Sequence, residues 1–322
     1  MQLPADLKKA IDELLRNISL AKLEEESLRL SHRYRSELLD GTAHLNSAQA
    51  ALAYVAARFP ATYGAVFSVF NHVIHALPDF SPLTQLDVGS GPATAVLAAK
   101  ALFPSINYAE MTDYSEPIQK IAQCLINQSF DYKTQWHLTS IQKIKNEDLN
   151  NADLVTLAYV LDELKESEQD QLIELLWQKT EHILIIVEPG TPNGWRRLMR
   201  QRQRLITWGG FVVAPCPHQN PCALAKPDWC HFSVRIERSR IHRQTKKADV
   251  PYEDEKYHYI AVSKFPIDHN HQRVLRRPLR SGRRVDLKLC LPNGDVKHEI
   301  VSKKETSRYH QARRCEWGDE IK

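Results

Sequence analysis

The period of the apolar positions changes along the chain, and each change marks a different kind of element. Leu7, Ile11, Leu14, Leu15 and Ile18 recur at helical spacing and a second helical pattern runs from Ala48 to Ala57, so residues 5–80 read as helices, punctuated by Pro60 and Pro78. From Thr84 onward short apolar runs alternate with longer helical patterns, the sequence form of a parallel α/β sheet. Strands are expected at 84–88, 106–111, 153–158, 182–187 and 211–215, with 256–263 closing the series, and helices at 92–102, 116–127, 168–179 and 194–207. The pattern predicts one doubly wound layer. It divides the chain into a helical region over 1–80, a sheet domain over 81–265 that contains an insertion at 216–255, and an extension of short strands over 266–322.

The run LDVGSGPATAVLAAK, residues 86–100, passes directly from an apolar strand through Gly89, Ser90, Gly91 and Pro92 into an Ala-rich helix. Glycines in such a turn let the backbone approach a ligand closely, and the helix start offers free amide donors. Ala93 stands where a dinucleotide fingerprint often has its third glycine. Asp113 lies 24 residues after Gly89, in the zone where a carboxylate accepts hydrogen bonds from ribose hydroxyls, and Glu110 is its rival. Asp87 is placed to bind a ligand amine through water or to support the loop. The candidate cofactor-binding residues are therefore Asp87, Gly89, Gly91 and Asp113, and composition does not separate NAD from another nucleoside ligand.

The 322 residues, 43% of them apolar, suffice for a sizeable core and exclude wholesale disorder. A net charge of +4 conceals a division: 15 basic against 25 acidic side chains up to residue 190, then 28 against 14 from residue 191 onward. That division points to a polyanion bound by the C-terminal half. Arg197, Arg200 and Arg204 share one face of the helix after Pro192, and RVLRRPLRSGRR, residues 273–284, adds six arginines, among them Arg276, Arg277 and Arg280. These six named residues are the candidate phosphate-backbone-binding set, with Trp195, Trp229, Tyr257, Tyr309 and Trp317 available to stack on unpaired bases, and composition does not separate RNA from DNA. No run approaches the roughly 18 apolar residues of a membrane span, so no membrane partner is expected. The segment MQLPADLKKAIDELL reads as neither a signal nor a transit peptide, which gives a bacterial-type cytoplasmic protein as the expectation.

Three of the six cysteines, Cys216, Cys222 and Cys230, fall within fifteen residues beside His218 and His231, in a loop stiffened by Pro215, Pro217, Pro221 and Pro227. Such a loop has little apolar material to bury, and a metal would organise it. Cys290 in VDLKLCLPNG is the possible fourth thiolate, whereas Cys124 and Cys315 read as unrelated thiols. Four thiolates fit tetrahedral zinc or a cubane iron–sulfur cluster, and the spacing does not decide between them.

The glycine loop resembles motif I of class I S-adenosylmethionine-dependent methyltransferases. DLVTLAYVLDEL at 153–164 resembles the fourth-strand segment of that fold, and VEPGTP at 187–192 follows the fifth strand, where the fold often meets its substrate. Together with APCPH, DWCHFS, YEDEKYHYIAVSK and ARRCEWGD, these motifs resemble the small-ribosomal-subunit assembly family of methyltransferase-like proteins found in bacteria and mitochondria. The resemblance implies a class I methyltransferase (Rossmann-like) α/β sheet, with an N-terminal helical region, a cysteine-rich metal-binding insertion and a small basic C-terminal β extension. It implies S-adenosylmethionine at the glycine loop and a four-iron, four-sulfur cluster on Cys216, Cys222, Cys230 and Cys290, with zinc as the alternative. The partner it implies is the small ribosomal subunit and its RNA rather than DNA, in support of assembly and translation. No catalytic residue follows. The sequence has no NPPY tetrad and no catalytic cysteine pair at the fourth strand, and Asp162 and Glu163, the only acids placed to help, serve equally as surface helix caps. An active ribosomal RNA methyltransferase and an RNA-binding protein with a vestigial pocket are the alternatives.

Overall fold

The computed structural model describes residues 1–36, 45, 47–129 and 133–322. The chain begins with α1 (Ala5–Leu15), α2 (Leu20–Ser36), α3 (Ala48–Ala57) and α4 (Phe59–Ala76), then enters the sheet through β1 (Thr84–Val88). There follow α5 (Thr94–Leu102), β2 (Tyr108–Asp113), α6 (Glu116–Ser129), β3 (Lys133–Leu138), β4 (Ala152–Ala158), α7 (Glu166–Lys179), β5 (Thr180–Pro189), α8 (Pro192–Thr207) and β6 (Phe211–Ala214). The large sheet is completed by β7 (Phe232–Glu237), α9 (Arg240–Thr245) and β8 (Tyr252–Ser263). A second, small sheet is built from β9 (Gln272–Val274), β10 (Leu279–Ser281), β11 (Arg284–Cys290), β12 (Val296–Ser302) and β13 (Glu320–Ile321), with α10 (Thr306–Arg314) against it.

The large sheet runs β3-β2-β1-β4-β5-β8-β6, with β7 paired to β8. Its first five strands are parallel and β8 is antiparallel to all three of its neighbours. This is the class I methyltransferase-like α/β fold that the glycine loop led us to expect. The doubly wound layer differs from the expectation at its far edge, because β6, β7 and β8 turn it into a mixed sheet. Two strands escaped the sequence pattern. In β3, KTQWHL, every position is at least partly exposed, so no alternation betrays it, and β7 lies inside what read as an irregular insertion.

Both faces of the parallel strands are buried, as their continuous apolar runs require. Along β5, Ile183, Ile185 and Val187 face the core built with α3, α4, α5 and α6, while Leu184 and Ile186 face α7 and α8. Helix α4 is buried along most of its length because it lies between the sheet and the N-terminal helices. The small sheet has its own core of Val285, Leu287, Leu289 and Val301 beneath Ala312 of α10.

The β5–α8 joint is the tightest crossing near the sites described below. Thr191 caps α8, its hydroxyl accepting from the Gly194 amide at 3.0 Å, and Pro192 occupies the first turn. A Cβ on Gly194 would lie 2.2 Å from the Pro189 carbonyl oxygen, so the helix can start here only with glycine at that position. Thr191→Ala is expected to cost about 1 kcal/mol, and Gly194→Ala more than that, because a backbone atom rather than a flexible side chain must move. Urea denaturation of the two variants measures the order.

Candidate functional site

The glycine loop folds around two positive-φ glycines. Gly89 has φ +66°, and a Cβ there would meet Val160 Cγ2 at 2.4 Å; Gly91 has φ +52°, and a Cβ there would project into open space. The loop is pinned to its neighbours by Ser90 N donating to Thr112 O at 2.9 Å and Ser90 Oγ donating to Asp87 O at 2.8 Å. Asp113 accepts from Gly91 N and Ser115 N, both at 2.9 Å, so its carboxylate shapes the loop directly. Each oxygen keeps a lone pair for a further donor. Glu110, the rival acid, is engaged away from the loop by His137 and Asn150.

Asp87, Gly89, Gly91 and Thr94 line one pocket; Gly89, Gly91, Asp113, Tyr114 and Glu163 line the adjoining one. Asp87 Oδ1 accepts from Thr156 Oγ1 at 2.5 Å, while Oδ2 is buried without a partner. Burial pushes this carboxyl up to about 7. A cationic amine at Oδ2 would supply the missing partner, and open space at Gly91 leaves room for the ligand's backbone approach. The chemistry of these groups therefore fits S-adenosylmethionine, whose amino group is such a cation.

Beside this pocket lies a cavity of about 610 Å³ that reaches Arg58, Asp162, Thr191, Lys246 and Glu255. Tyr159 borders the cavity and both glycine-loop pockets. It follows β4 at φ +60°, a conformation rare for a bulky side chain. Its hydroxyl donates to Glu255 Oε1 at 3.1 Å, and the Arg58 guanidinium, itself paired with Glu255 at 3.2 Å, stands 5.9 Å from its ring centroid. Asp162 and Glu163 are not surface caps as the sequence allowed: they sit in a short 3-10 turn, Leu161–Glu163, with Asp162 buried and Glu163 facing the glycine pocket. Burial holds the Glu163 carboxyl well above its ordinary range.

Cys216, Cys222, Cys230 and Cys290, separated by up to 74 residues in sequence, line a single pocket together with His258 and Arg273. The loop after β6 brings the first three and the last residue of β11 brings the fourth, with Lys288 of β11 ion-paired to Asp228 of the loop. Burial and the neighbouring thiols push Cys230 well above the usual thiol range and Cys290 above it as well. Among the described residues no group of three or more His, Cys, Asp or Glu side chains is arranged to hold a metal ion. The four thiols of the pocket are the donor type that either a zinc ion or a cubane iron–sulfur cluster takes. Cys124 and Cys315 lie outside the pocket.

The three arginines of the candidate RNA face on α8 all have acidic partners. Arg197 Nε donates to the fully buried Glu188 at 3.1 Å, Arg200 pairs with Glu166 and Asp170, and Arg204 pairs with Asp170 and stacks on Trp208. Helix α7 neutralises most of this face, because it supplies acids opposite the arginines. In the C-terminal set, Arg276 pairs with Asp286, and Arg280 binds the carbonyls of Arg313 and Cys315 as well as Glu316, so both brace the small sheet. Arg277 is exposed. A more open group lies in the basic runs that the sequence showed but did not single out: Arg283, Arg284, Lys303 and Lys304 are all exposed and converge at one end of the small sheet, where Arg284 lies opposite Ser302 and Lys303 N donates to Arg283 O. It also missed Arg202 and Arg273, the two largest fully buried side chains.

The family described as "Mitochondrial small ribosomal subunit Rsm22" matches residues 48–322. The chain belongs to this family. Relatives of the chain include the human "Ribosome assembly protein METTL17, mitochondrial", 27% identical over 286 residues that cover 83% of this chain and 61% of that one. The Saccharomyces cerevisiae "Ribosome assembly protein RSM22, mitochondrial" is 20% identical, covering 99% of this chain and 74% of its own. The chain thus spans about three fifths of the human relative's length. Among solved structures, the magnesium protoporphyrin IX methyltransferase of Synechocystis with bound S-adenosylmethionine is 12% identical with a TM-score of 0.42, covering 82% of this chain and 99% of that one. The precorrin-6y C5,15-methyltransferase of Geobacter metallireducens is 12% identical with a TM-score of 0.41, covering 61% and 89%. These likenesses are loose, and the fold assignment rests on strand order. The family and both relatives are mitochondrial, which overturns the expectation of a bacterial-type cytoplasmic protein. Among the described residues no helix is long and apolar enough to cross a membrane.

The raised Asp87 pKa gives a pH test. The folded protein holds a proton that the unfolded chain releases near pH 4, so stability falls as pH rises from about 4 to about 7 and levels off above. Over some three pKa units this amounts to a loss on the order of 4 kcal/mol, at 1.36 kcal/mol per unit. Asp87→Asn is expected to remove that component of the slope, read from thermal denaturation across the interval; an unchanged slope would place the proton elsewhere.

Proposed function

We propose that this chain is a methyltransferase-fold factor that binds S-adenosylmethionine at the glycine loop and supports assembly of the mitochondrial small ribosomal subunit through its RNA. The observation that carries this reading is the family match over 48–322, which spans the glycine loop, the four cysteines and the small sheet alike. When bound, S-adenosylmethionine supplies an activated methyl group. Asp87 holds the ligand amine, Gly89 and Gly91 let the backbone come close, and Asp113 keeps the loop in register while offering its remaining lone pairs to ribose hydroxyls. Cys216, Cys222, Cys230 and Cys290 hold a four-iron, four-sulfur cluster that joins the insertion to the small sheet. Arg277, Arg283, Arg284, Lys303 and Lys304 supply phosphate contacts.

A second reading, in which the bound cofactor is not turned over, is favoured by the groups around the cavity. Burial holds the hydroxyls of Tyr34, Tyr54 and Tyr159 and the carboxyl of Glu163 above their ordinary ranges, so none of them is poised as a charged base at neutral pH. Glu253 on the same wall does carry charge, but Arg238, His242 and Lys246 engage both of its oxygens, so transfer would depend chiefly on alignment.

Calorimetry with S-adenosylmethionine tests the pocket: the native chain is expected to bind, and Gly89→Arg, whose side chain would run into Val160, to lose binding at least tenfold. Equal binding by the two proteins would remove the glycine loop from the reading. Methyl-label transfer to immature small subunits then separates the two readings, label marking an enzyme and tight binding without label marking a factor. Arg283→Glu with Arg284→Glu should weaken binding to small-subunit RNA and flatten its salt dependence; unchanged RNA binding would exclude that end of the sheet.

A further inference from the structure

Arg202 is 2% exposed, and among the described residues it forms no ion pair with any carboxylate. Its Nη2 donates to the His218 carbonyl at 2.8 Å, and its Nε is buried without an acceptor. Burial of an uncompensated guanidinium is heavily unfavourable, so a buried arginine is ordinarily matched by an anion. Arg273, its counterpart on the small sheet, follows that rule: it is 1% exposed and pairs with Glu320 at 2.7 Å, while bonding the carbonyls of Pro215 and Gly318. Arg202 is linked to the thiol pocket through His218 and through Met199, which lies on the same helix and on the wall of that pocket. His218, the residue it grips, presents Nε2 to Cys290 Sγ at 3.3 Å.

We propose that Arg202 is the counter-cation of a dianionic metal–thiolate centre held by Cys216, Cys222, Cys230 and Cys290, with His218 as the positioning residue that Arg202 fixes against Cys290. The inference rests on the four-cysteine reading above and narrows it. Four thiolates around a doubly positive core, whether a cubane cluster or a zinc ion, leave a net dianion. Exchange of one thiolate for the neutral ring of His218 or His258 would reduce that charge and leave Arg202 less well matched. The same anion gives His218 its role, because a thiolate on Cys290 accepts the Nε2 proton. Helix α8 turns Arg202 inward, since Leu198, Gln201, Arg202 and Leu205 form its buried stripe and the arginine therefore sits on the apolar side.

The test compares the full-length native chain with Arg202→Lys, Arg202→Gln and Arg202→Met, each reconstituted anaerobically with ferrous iron and sulfide. Iron, sulfide and zinc contents identify the centre, and the rate of metal loss to a chelator measures its retention. S-adenosylmethionine binding at the distant glycine loop reports that each variant is folded. Lysine and glutamine both lose the guanidinium fork, but only lysine keeps the charge. Arg202→Lys is therefore expected to hold metal nearly as well as the native chain, and Arg202→Gln and Arg202→Met to release it roughly 10 to 100 times faster, the range for loss of a supporting group around a metal. If the centre is iron–sulfur, its reduction potential should fall in the uncharged variants and not in the lysine variant. Equal behaviour of lysine and glutamine, whether both intact or both impaired, overturns the counter-cation. A native chain that folds and takes up no metal instead overturns the four-cysteine reading itself.

Discussion

Strand β8 must pair with β5, β6 and β7 along twelve residues, and both candidate sites depend on that pairing. Its period-two geometry sends Glu255, Tyr257 and Tyr259 to one face and His258, Ile260 and Val262 to the other. Glu255 anchors Arg58 and Tyr159 beside the large cavity, while His258 borders the four-thiol pocket. A one-residue slip of β8 against β5 would exchange these two faces and dismantle both sites together. The strand is held against slipping by its burial: Tyr257, Tyr259 and Ile260 are inaccessible, and Tyr257 bonds Ser68 of α4 at 2.8 Å.

Charge along the chain is organised by partners more than by composition. The basic excess after residue 190 is substantial, yet many of its arginines are matched by nearby acids: Arg197 by Glu188, Arg235 by Asp254, Arg238 by Glu253 and Arg308 by Glu299. Of these pairs only Arg235–Asp254 is exposed, and a pair of that kind contributes little to stability. The four pairs do remove positive charge from any surface offered to phosphate, so the far field of this half is set by the cations that lack such a pair, among them Arg283, Arg284, Lys303 and Lys304 at the end of the small sheet.

The parts of the molecule legible in the sequence are those written in local patterns. The glycine loop needs only a strand, two glycines and a helix start in succession, and the cysteine loop needs only thiols and prolines crowded together; both were located with their residues. What required the folded structure was the identity of each group's neighbours. Asp113 looked like a ribose ligand, and its backbone partners Gly91 and Ser115 come from the turn geometry. Arg197, Arg200 and Arg204 were correctly placed on one helical face, but which element covers that face is a tertiary fact. Arg202 left a readable trace, since Leu198 and Leu205 mark the apolar stripe on which it falls. Edge strand β3 left none, because a strand exposed along its length has no hydrophobic period to detect.

The small sheet shows why a covalent or metal link between it and the insertion is physically useful. Its own core consists of a handful of aliphatic residues under one short helix, close to the size at which a hydrophobic core alone becomes marginal. The cysteine loop between β6 and β7 is poorer still, with four prolines and little apolar surface. Neither segment can hold the other firmly by burial. The proposed centre, taking Cys290 from the sheet and Cys216, Cys222 and Cys230 from the loop, would tie two weak elements at once, and its binding free energy would become folding free energy for both. Arg273 already spans the same joint through Pro215 and Gly318, which places the loop and the sheet in register before any ligand is added. The thiol pocket is thus the point at which the least self-sufficient parts of the chain meet its most buried charges.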